Sequence, residues 1–269
     1  MIIKSIEIEK FRAIENLSLD IGKNITAIAG RNATLKTTLL GMLGQPFTIS
    51  KGHPMYGCTT IDGYNFKSQF WEKFKMSKKF DHYGEHIWTL KFYKRGYYYN
   101  DEIKMMSIRR QTKTNPNGIR FWNAKSKAKG TGYVQLPVYY LSLARLFPIG
   151  ETVKTKNIDI QLTEEENAFF VKKYKELLSI QETQNAVASM ERVDSRRNFV
   201  GINDNTHDVF TNSAGESNVG KIILAILSFM RLKARYGNQY KGGILLIDEL
   251  DATLYGLSLI HISEPTRHL

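Results

Sequence analysis

The segment from Ile25 to Thr38 constrains the fold more than any other part of the chain. An apolar run, Ile25-Thr-Ala-Ile-Ala29, ends at Gly30, and after Arg31-Asn32-Ala33-Thr34-Leu35 the pair Lys36-Thr37 opens a helical stretch that reaches Leu43. A strand that stops at glycine and passes straight into a helix is the basic junction of α/β folds. The helix end there presents backbone N–H groups without intrahelical partners, and together with the helix dipole they attract phosphate oxygens.

The surrounding sequence supplies elements to build such a fold. Ile2 to Ile8 alternates apolar and polar residues, and Leu17 to Ile21 does so again, so with Ile25 to Ala29 three early strands are expected. Gln45 to Asp81 has the Gly, Pro, Lys and aromatic content of an insertion, with one short element around Phe66 to Phe74. Aromatic and β-branched residues from His86 to Tyr99 and from Gly118 to Asn123, separated by the turn-forming Asn115-Pro-Asn-Gly118, predict an antiparallel β-meander. Val134 to Leu143 reads as a strand interrupted by Pro137. Thr163 to Ile180 reads as an amphipathic helix with Phe169, Phe170, Tyr174 and Leu177 on one side. Phe199 to Ile202 and Asp208 to Phe210 are expected as short strands, Asn218 to Tyr236 as a helix, and Gly243 to Ile247 as a buried strand.

Composition narrows the class. The 269 residues, 42% of them hydrophobic, can furnish a core, and no run of about 18 apolar residues is present to cross a membrane. The single cysteine, Cys58, leaves no internal disulfide and suits a reducing, cytoplasmic setting. A formal charge of +12 favours a polyanionic partner such as nucleic acid, although a basic solvated surface accounts for it equally well.

Gly30 through Thr37 matches the phosphate-binding pattern G-x-x-x-x-G-K-[ST] at its first glycine, its lysine and its hydroxyl, with Leu35 in place of the second glycine. In that pattern Lys36 bridges the β- and γ-phosphates of ATP, Thr37 ligates Mg²⁺, and the amides from Asn32 through Thr38 cradle the phosphates. Leu35 is expected to need only a helical φ, whereas Ala33 would resist a positive one. Farther on, Ile244-Leu-Leu-Ile-Asp248-Glu249 is an apolar run ending in two carboxylates, as a buried strand ends at a ligand crevice. Asp248 suits Mg²⁺ and Glu249 suits the general base that polarises attacking water.

Between these two segments, Asn212-Ser213-Ala-Gly215-Glu216-Ser217 leads into a helix, and Leu250-Asp251-Ala-Thr-Leu254 follows the acidic pair. In this order the segments resemble the phosphate loop, signature, acidic strand and D-loop of ABC-type ATPases. Ser213, Gly215 and Glu216 resemble the signature that contacts the γ-phosphate held by an opposite subunit, and a plain serine helix cap remains the rival reading of that segment. The opening Lys4-Ser-Ile-Glu-Ile-Glu-Lys-Phe11-Arg12 resembles the RecF/SMC-like branch, in which the arginine at the place of Arg12 can approach the phosphates; a surface arginine is the alternative. Leu39 to Phe47 and Leu136 to Glu151 resemble bacterial stand-alone members of the AAA-family ATPases, some of them encoded in phage-defence operons.

The resemblance implies a P-loop NTPase of ABC-ATPase type over residues 1–256: a mixed sheet with an antiparallel β lobe and insertion at about 45–145, and a helical subdomain at about 160–195. It implies ATP and Mg²⁺ as ligands, a homodimer formed through the nucleotide sites, and DNA or an effector nuclease as a further partner, with no membrane. Gln45 and Gln135 both remain open as the glutamine that senses Mg²⁺. Leu257 to Arg267 resembles a translated transposon-end sequencing adapter, so 257–269 is expected to be a non-native tail, and His261 is not taken as the switch histidine. A nucleotide-gated binding module with little turnover and, more remotely, a transporter cassette are the competing expectations.

Overall fold

A computed structural model describes residues 3–30, 35–67, 70–77, 79–93, 102–110, 118–125, 133–146, 154–180, 184–194 and 197–252. The chain divides into two compact units, one of Met1–Gly57, Phe66–Val138 and Lys241–Leu246, the other of Cys58–Asn65, Tyr139–Tyr240 and Ile247–Leu269. The expected β lobe at about 45–145 is therefore redrawn, because its sheet begins with the N-terminal strands. The short segment around Ile61 goes with the second unit, where its N–H donates to Ser228 Oγ at 2.9 Å.

In the first unit, β1 (Ile3–Phe11) and β2 (Ile14–Asp20) form a hairpin whose closing pair is Phe11 and Ile14. Residues 21–30 are irregular, and the next elements are α1 (Lys36–Gly44), β3 (Phe47–Thr48), α2 (Phe70–Lys73), β4 (Ile87–Phe92), β5 (Glu102–Arg109), β6 (Ile119–Asn123) and β7 (Val134–Gln135). An antiparallel sheet runs in the order β2-β1-β4-β5-β6, while β3 and β7 pair in parallel. Period-two alternation puts Ile6, Ile8, Trp88, Leu90, Ile103, Met105 and Phe121 on one buried face. Phe11 sits among Phe74, His86, Trp88 and Phe121 with ring centroids 4.7–5.9 Å away. Each such ring contributes about 1.5–3 kcal/mol by burial. The indole N–H of Trp88 donates to Met42 O at 3.2 Å, which fastens α1 to this sheet.

The expected strand at Ile25 to Ala29 is not formed. These residues are coil, and Ile25 is 50% exposed. An apolar run becomes a strand only where a neighbour completes its hydrogen-bond ladder, and no strand of the described residues pairs with it. β5, in contrast, was not anticipated.

The second unit holds Tyr139–Leu141 of β8 (Val138–Leu141) and a 3₁₀ turn at Leu143–Leu146, followed by β9 (Lys156–Ile158), α3 (Glu164–Leu178), β10 (Val187–Arg192), β11 (Asn198–Asn203) and α4 (Ala214–Tyr236); of β12 (Ile244–Ile247) only the last residue belongs to it, the first three falling in the first unit. The antiparallel sheet β11-β10-β9 packs with both helices around Phe170, Tyr174, Met190, Val200, Ile202, Val219, Ile223 and Leu227. The region 160–195 is thus only partly helical: α3 ends at Leu178, Ser179 takes a left-handed φ of 54°, and the chain turns into β10. Asp208 to Phe210 is not a strand either. Asp208 accepts the N–H groups of Phe210 and Thr211 and caps a 3₁₀ turn. Gly220 brings α4 close to β11, since a Cβ at that position would lie 2.6 Å from Val200 O.

β8 and β12 pair in parallel: Ile244 N–H donates to Pro137 O and Asp248 N–H to Leu141 O, at 2.9 and 3.0 Å. Parallel pairing is confined, among the described residues, to this pair and β3–β7. Among the same residues no helix is long and apolar enough to cross a membrane.

Candidate functional site

In the first unit, the lysine that opens α1 is hydrogen-bonded to Gly30. Lys36, the first residue of the helix, turns its ammonium back to donate to Gly30 O at 2.8 Å. Leu35 stands at the N-cap with φ 62° and ψ 23°, offers no side-chain cap, and is followed by a first turn without acidic residues. The helical φ expected for Leu35 is corrected by this geometry. A left-handed backbone costs a branched side chain about 1–2 kcal/mol, which explains why glycine is the usual occupant of such a place. Thr37 and Thr38 follow within the first turn, Thr38 being buried. Arg31, Asn32, Ala33 and Thr34 lie outside the described residues.

Arg12 is engaged within the fold. At φ 54° in the β1–β2 turn it forms a two-point ion pair with Asp81, Nε to Oδ1 at 2.9 Å and Nη2 to Oδ2 at 2.8 Å, and also donates to Lys75 O. Ser77 N–H and His86 Nε2 complete the surroundings of that carboxylate. Burial pushes Asp81 upward, but the hydrogen bonds from Arg12, Ser77 and His86 outweigh it and hold the group at about 2. Hydrogen bonding to Asp81 in turn raises Arg12. The guanidinium expected near phosphate thus serves to tie the β1–β2 turn to the 75–81 loop. Gln135 is occupied by both polar atoms of Ser50, and Gln45 is buried, so neither gains support as a glutamine sensor.

In the second unit, the end of β12 carries the two carboxylates. Asp248 is 3% exposed, and its Oδ2 accepts the Tyr140 hydroxyl at 3.0 Å. Glu249 turns the chain with φ 49°, and its carbonyl accepts Arg145 Nη2 at 3.0 Å. Arg145, 5% exposed, also donates to Asn218 Oδ1 at 2.7 Å and to the carbonyls of Leu141 and Ser142. Burial lowers Arg145 to about 10 against the opposing pull of Asp248, Tyr140 and Glu249. Lys221, on the next turn of α4 after Asn218, donates to Arg145 O at 2.6 Å, and burial lowers it to about 7. Arg145 therefore joins the end of the acidic strand to the start of α4. No role had been assigned to Arg145, Asn218, Tyr140 or Lys221 from sequence.

The segment read as a signature lies inside α4, which begins four residues earlier than expected. Ser213 is its N-cap: Ser213 Oγ accepts Glu216 N–H at 3.2 Å and the Glu216 carboxylate accepts Ser213 N–H at 2.6 Å. This reciprocal capping box is the rival reading of those residues, and Ser213 and Glu216 both take part in it. Gly215 lies between them in the first turn. Asp251 is exposed in the turn that follows Glu249, and residues beyond Ala252, including the suspected tail at 257–269, lie outside the described residues.

Among the described residues no group of three or more His, Cys, Asp or Glu side chains is placed to hold a metal ion. A single buried carboxylate still suits Mg²⁺, which keeps several waters and takes its remaining ligands from substrate phosphates. No protein-family model, no curated protein and no solved structure matches the chain.

Proposed function

We propose that the chain is an ATP-binding and ATP-hydrolysing protein of the RecF/SMC-like kind, acting in the cytoplasm. The observation that carries this is the end of β12, where buried Asp248 and the turn residue Glu249 leave a strand paired in parallel with β8. Carboxylates at the C-terminal end of such a strand are where α/β folds meet phosphate ligands. Lys36, opening α1 with its ammonium on Gly30 O, is the cation that would meet the phosphates.

Thr37 in the first unit and Asp248 in the second are each suited to the role of Mg²⁺ ligand, an ion whose chemistry is to neutralise charge developing on the phosphate oxygens. Glu249 would accept the proton of the attacking water, and Lys36 would stabilise the transferred phosphoryl group. The same proposal includes a homodimer in which the start of α4, with Ser213, Gly215 and Glu216, faces the partner's phosphates. In that dimer the capping box would share its helix end with the ligand.

Titration calorimetry with ATP and Mg²⁺ tests the assignment. Lys36→Ala is expected to abolish binding, and unchanged affinity would overturn the proposal. Glu249→Gln is expected to leave binding intact while slowing turnover by about 10²–10⁴-fold, the usual worth of a general base. A second reading, a nucleotide-gated module that scarcely hydrolyses ATP, is favoured by the left-handed Leu35 and the exposed coil at Ile25 to Ala29. Tight binding by the wild-type chain with turnover no faster than that of Glu249→Gln would establish it.

A further inference from the structure

Within the second unit, Arg145 stands between two segments that the proposed chemistry uses for different ends. Its Nη2 donates to the backbone carbonyl of Glu249 at 3.0 Å, and its Nε donates to Asn218 Oδ1, on α4, at 2.7 Å. Asn218 lies five residues beyond the Ser213 cap, so one planar guanidinium reaches from the turn after β12 to the first turns of α4. The third nitrogen, Nη1, donates to Leu141 O and Ser142 O. Leu141 O also accepts the N–H of Asp248 at 3.0 Å, so the acidic strand end and the arginine share an anchor.

α4 grips the arginine at both of its ends. Asn218 takes the side chain, and Lys221, three residues on and on the same helix face, donates to the Arg145 carbonyl at 2.6 Å. Arg145, Asn218 and Lys221 are all buried. The N–H groups of a guanidinium are fixed relative to one another, so a shift at one acceptor is felt at the others, where a flexible ammonium would swivel. At the far side of the fork stands a residue in a costly conformation. Glu249 has φ 49°, the left-handed backbone that disfavours any side chain, and its carbonyl accepts Ala252 N–H at 3.2 Å as well as Arg145 Nη2. That turn sets the direction in which the Glu249 carboxylate leaves the chain.

We propose that Arg145 is a positioning residue for ATP hydrolysis: anchored on α4 through Asn218, it holds the Glu249 turn in its left-handed form and so fixes the carboxylate that activates water. This rests on the reading of Glu249 as general base. Arg145 meets the main chain of Glu249 and no reacting atom, so its effect passes entirely through that residue. Movement of the start of α4 reaches the carboxylate by the same route, from Asn218 through the fork to the Glu249 carbonyl.

Three substitutions separate this role from plain stability. Arg145→Lys keeps a cation but loses the fork, Asn218→Ala removes the α4 acceptor, and Leu227→Ala damages the core around α4 away from the link. Each is assayed well below its melting midpoint with saturating ATP and Mg²⁺. Turnover should fall by about 10²-fold in the first two, the cost of roughly 1 Å of misplacement at a reacting group, while the calorimetric Kd for ATP stays within about twofold. Leu227→Ala should keep both values near wild type. Because the arginine acts through Glu249, adding Asn218→Ala to Glu249→Gln should cost little beyond Glu249→Gln alone, whereas a merely structural role would multiply the two losses. Exchange of the Ala252 amide reads the Glu249 turn without nucleotide and should quicken several-fold in both link variants, but not in Leu227→Ala. If Arg145→Lys melts too early, Asn218→Ala decides the matter. Wild-type turnover in the link variants, multiplied losses in the double variant, or unchanged exchange at Ala252 would overturn the proposal and leave the ATPase reading standing. A wild-type chain that neither binds nor hydrolyses ATP would overturn that reading, and the role of Arg145 with it.

Discussion

Replacing Arg145 by Met should destabilise the second unit far more than an arginine substitution ordinarily does. Four hydrogen bonds leave this one guanidinium, to Asn218 Oδ1, Leu141 O, Ser142 O and Glu249 O, at distances of 2.7–3.1 Å. Methionine matches the length of the stem but donates nothing, so the Asn218 oxygen and the Glu249 carbonyl each lose this hydrogen bond and buried Asp248 loses a neighbouring positive charge. Removing one member of a buried charged network costs about 3–5 kcal/mol, because the groups left behind are desolvated without compensation. In a protein of this size that lowers the melting temperature by roughly 10 °C. Circular dichroism at 222 nm is the suitable probe, since α3 and α4, of 15 and 23 residues, both belong to this unit. Arg145→Lys should recover only part of the loss, as one ammonium cannot reach partners arranged around a planar fork. A drop below about 2 °C for Arg145→Met would show that the network contributes no net stability, and the reasoning would fail.

Leu35→Gly should relieve about 1 kcal/mol of left-handed strain, offset by the burial lost with a half-buried side chain, and should tighten ATP binding in calorimetry; weaker binding would show that the leucine side chain itself supports the loop. Stability to urea should rise between about pH 7 and pH 10, because burial lowers Lys73 and Lys221 to about 7 while lysines in the unfolded chain hold their protons to about 10.4. In that window the unfolded state binds the extra protons, so raising the pH favours the fold. Lys73→Met should flatten the rise, and an unchanged slope would exclude Lys73 as a source.

Elements with a strong period were legible in the chain itself. The alternation of Ile6 with Ile8 and of Trp88 with Leu90, and the helical spacing of Phe170, Tyr174 and Leu177, correspond to β1, β4 and α3. β5 escaped because Met106 and Ile108 fill the face opposite Ile103 and Met105, which blurs its alternation. β10 escaped because its buried positions include Ser189 and Glu191, the latter held by Asn157 at 2.7 Å, and a strand that buries polar groups in hydrogen bonds has no apolar signature. Ile25 to Ala29 shows the opposite failure, since an apolar run carries no information about whether a partner strand is at hand. Within the candidate site, the acidic end of β12 and the lysine opening α1 could be read directly. Arg145 could not, because a buried arginine inside Leu143-Ala-Arg-Leu146 interrupts no period, and two of its partners, Asn218 and Glu249, are 73 and 104 residues away. The Ser213–Glu216 spacing was visible, but serine three residues before glutamate fits a helix cap and a phosphate-contacting signature alike.

Gly220 gives α4 a mechanical character. A helix usually rides on a layer of side chains that can slide past one another by small rotamer changes. At Gly220 that layer is missing, with the space for a Cβ already filled to 2.6 Å by the carbonyl of Val200. At Gly201, one strand position farther on, the space for a Cβ is taken by the side chain of Asn212, the residue just ahead of the Ser213 cap. The start of α4 and the β11 backbone are meshed at two points, like teeth rather than like greased plates. A push on Ser213 would therefore be passed to the β9–β11 sheet as a displacement of a whole block, with little of it absorbed in the contact between them.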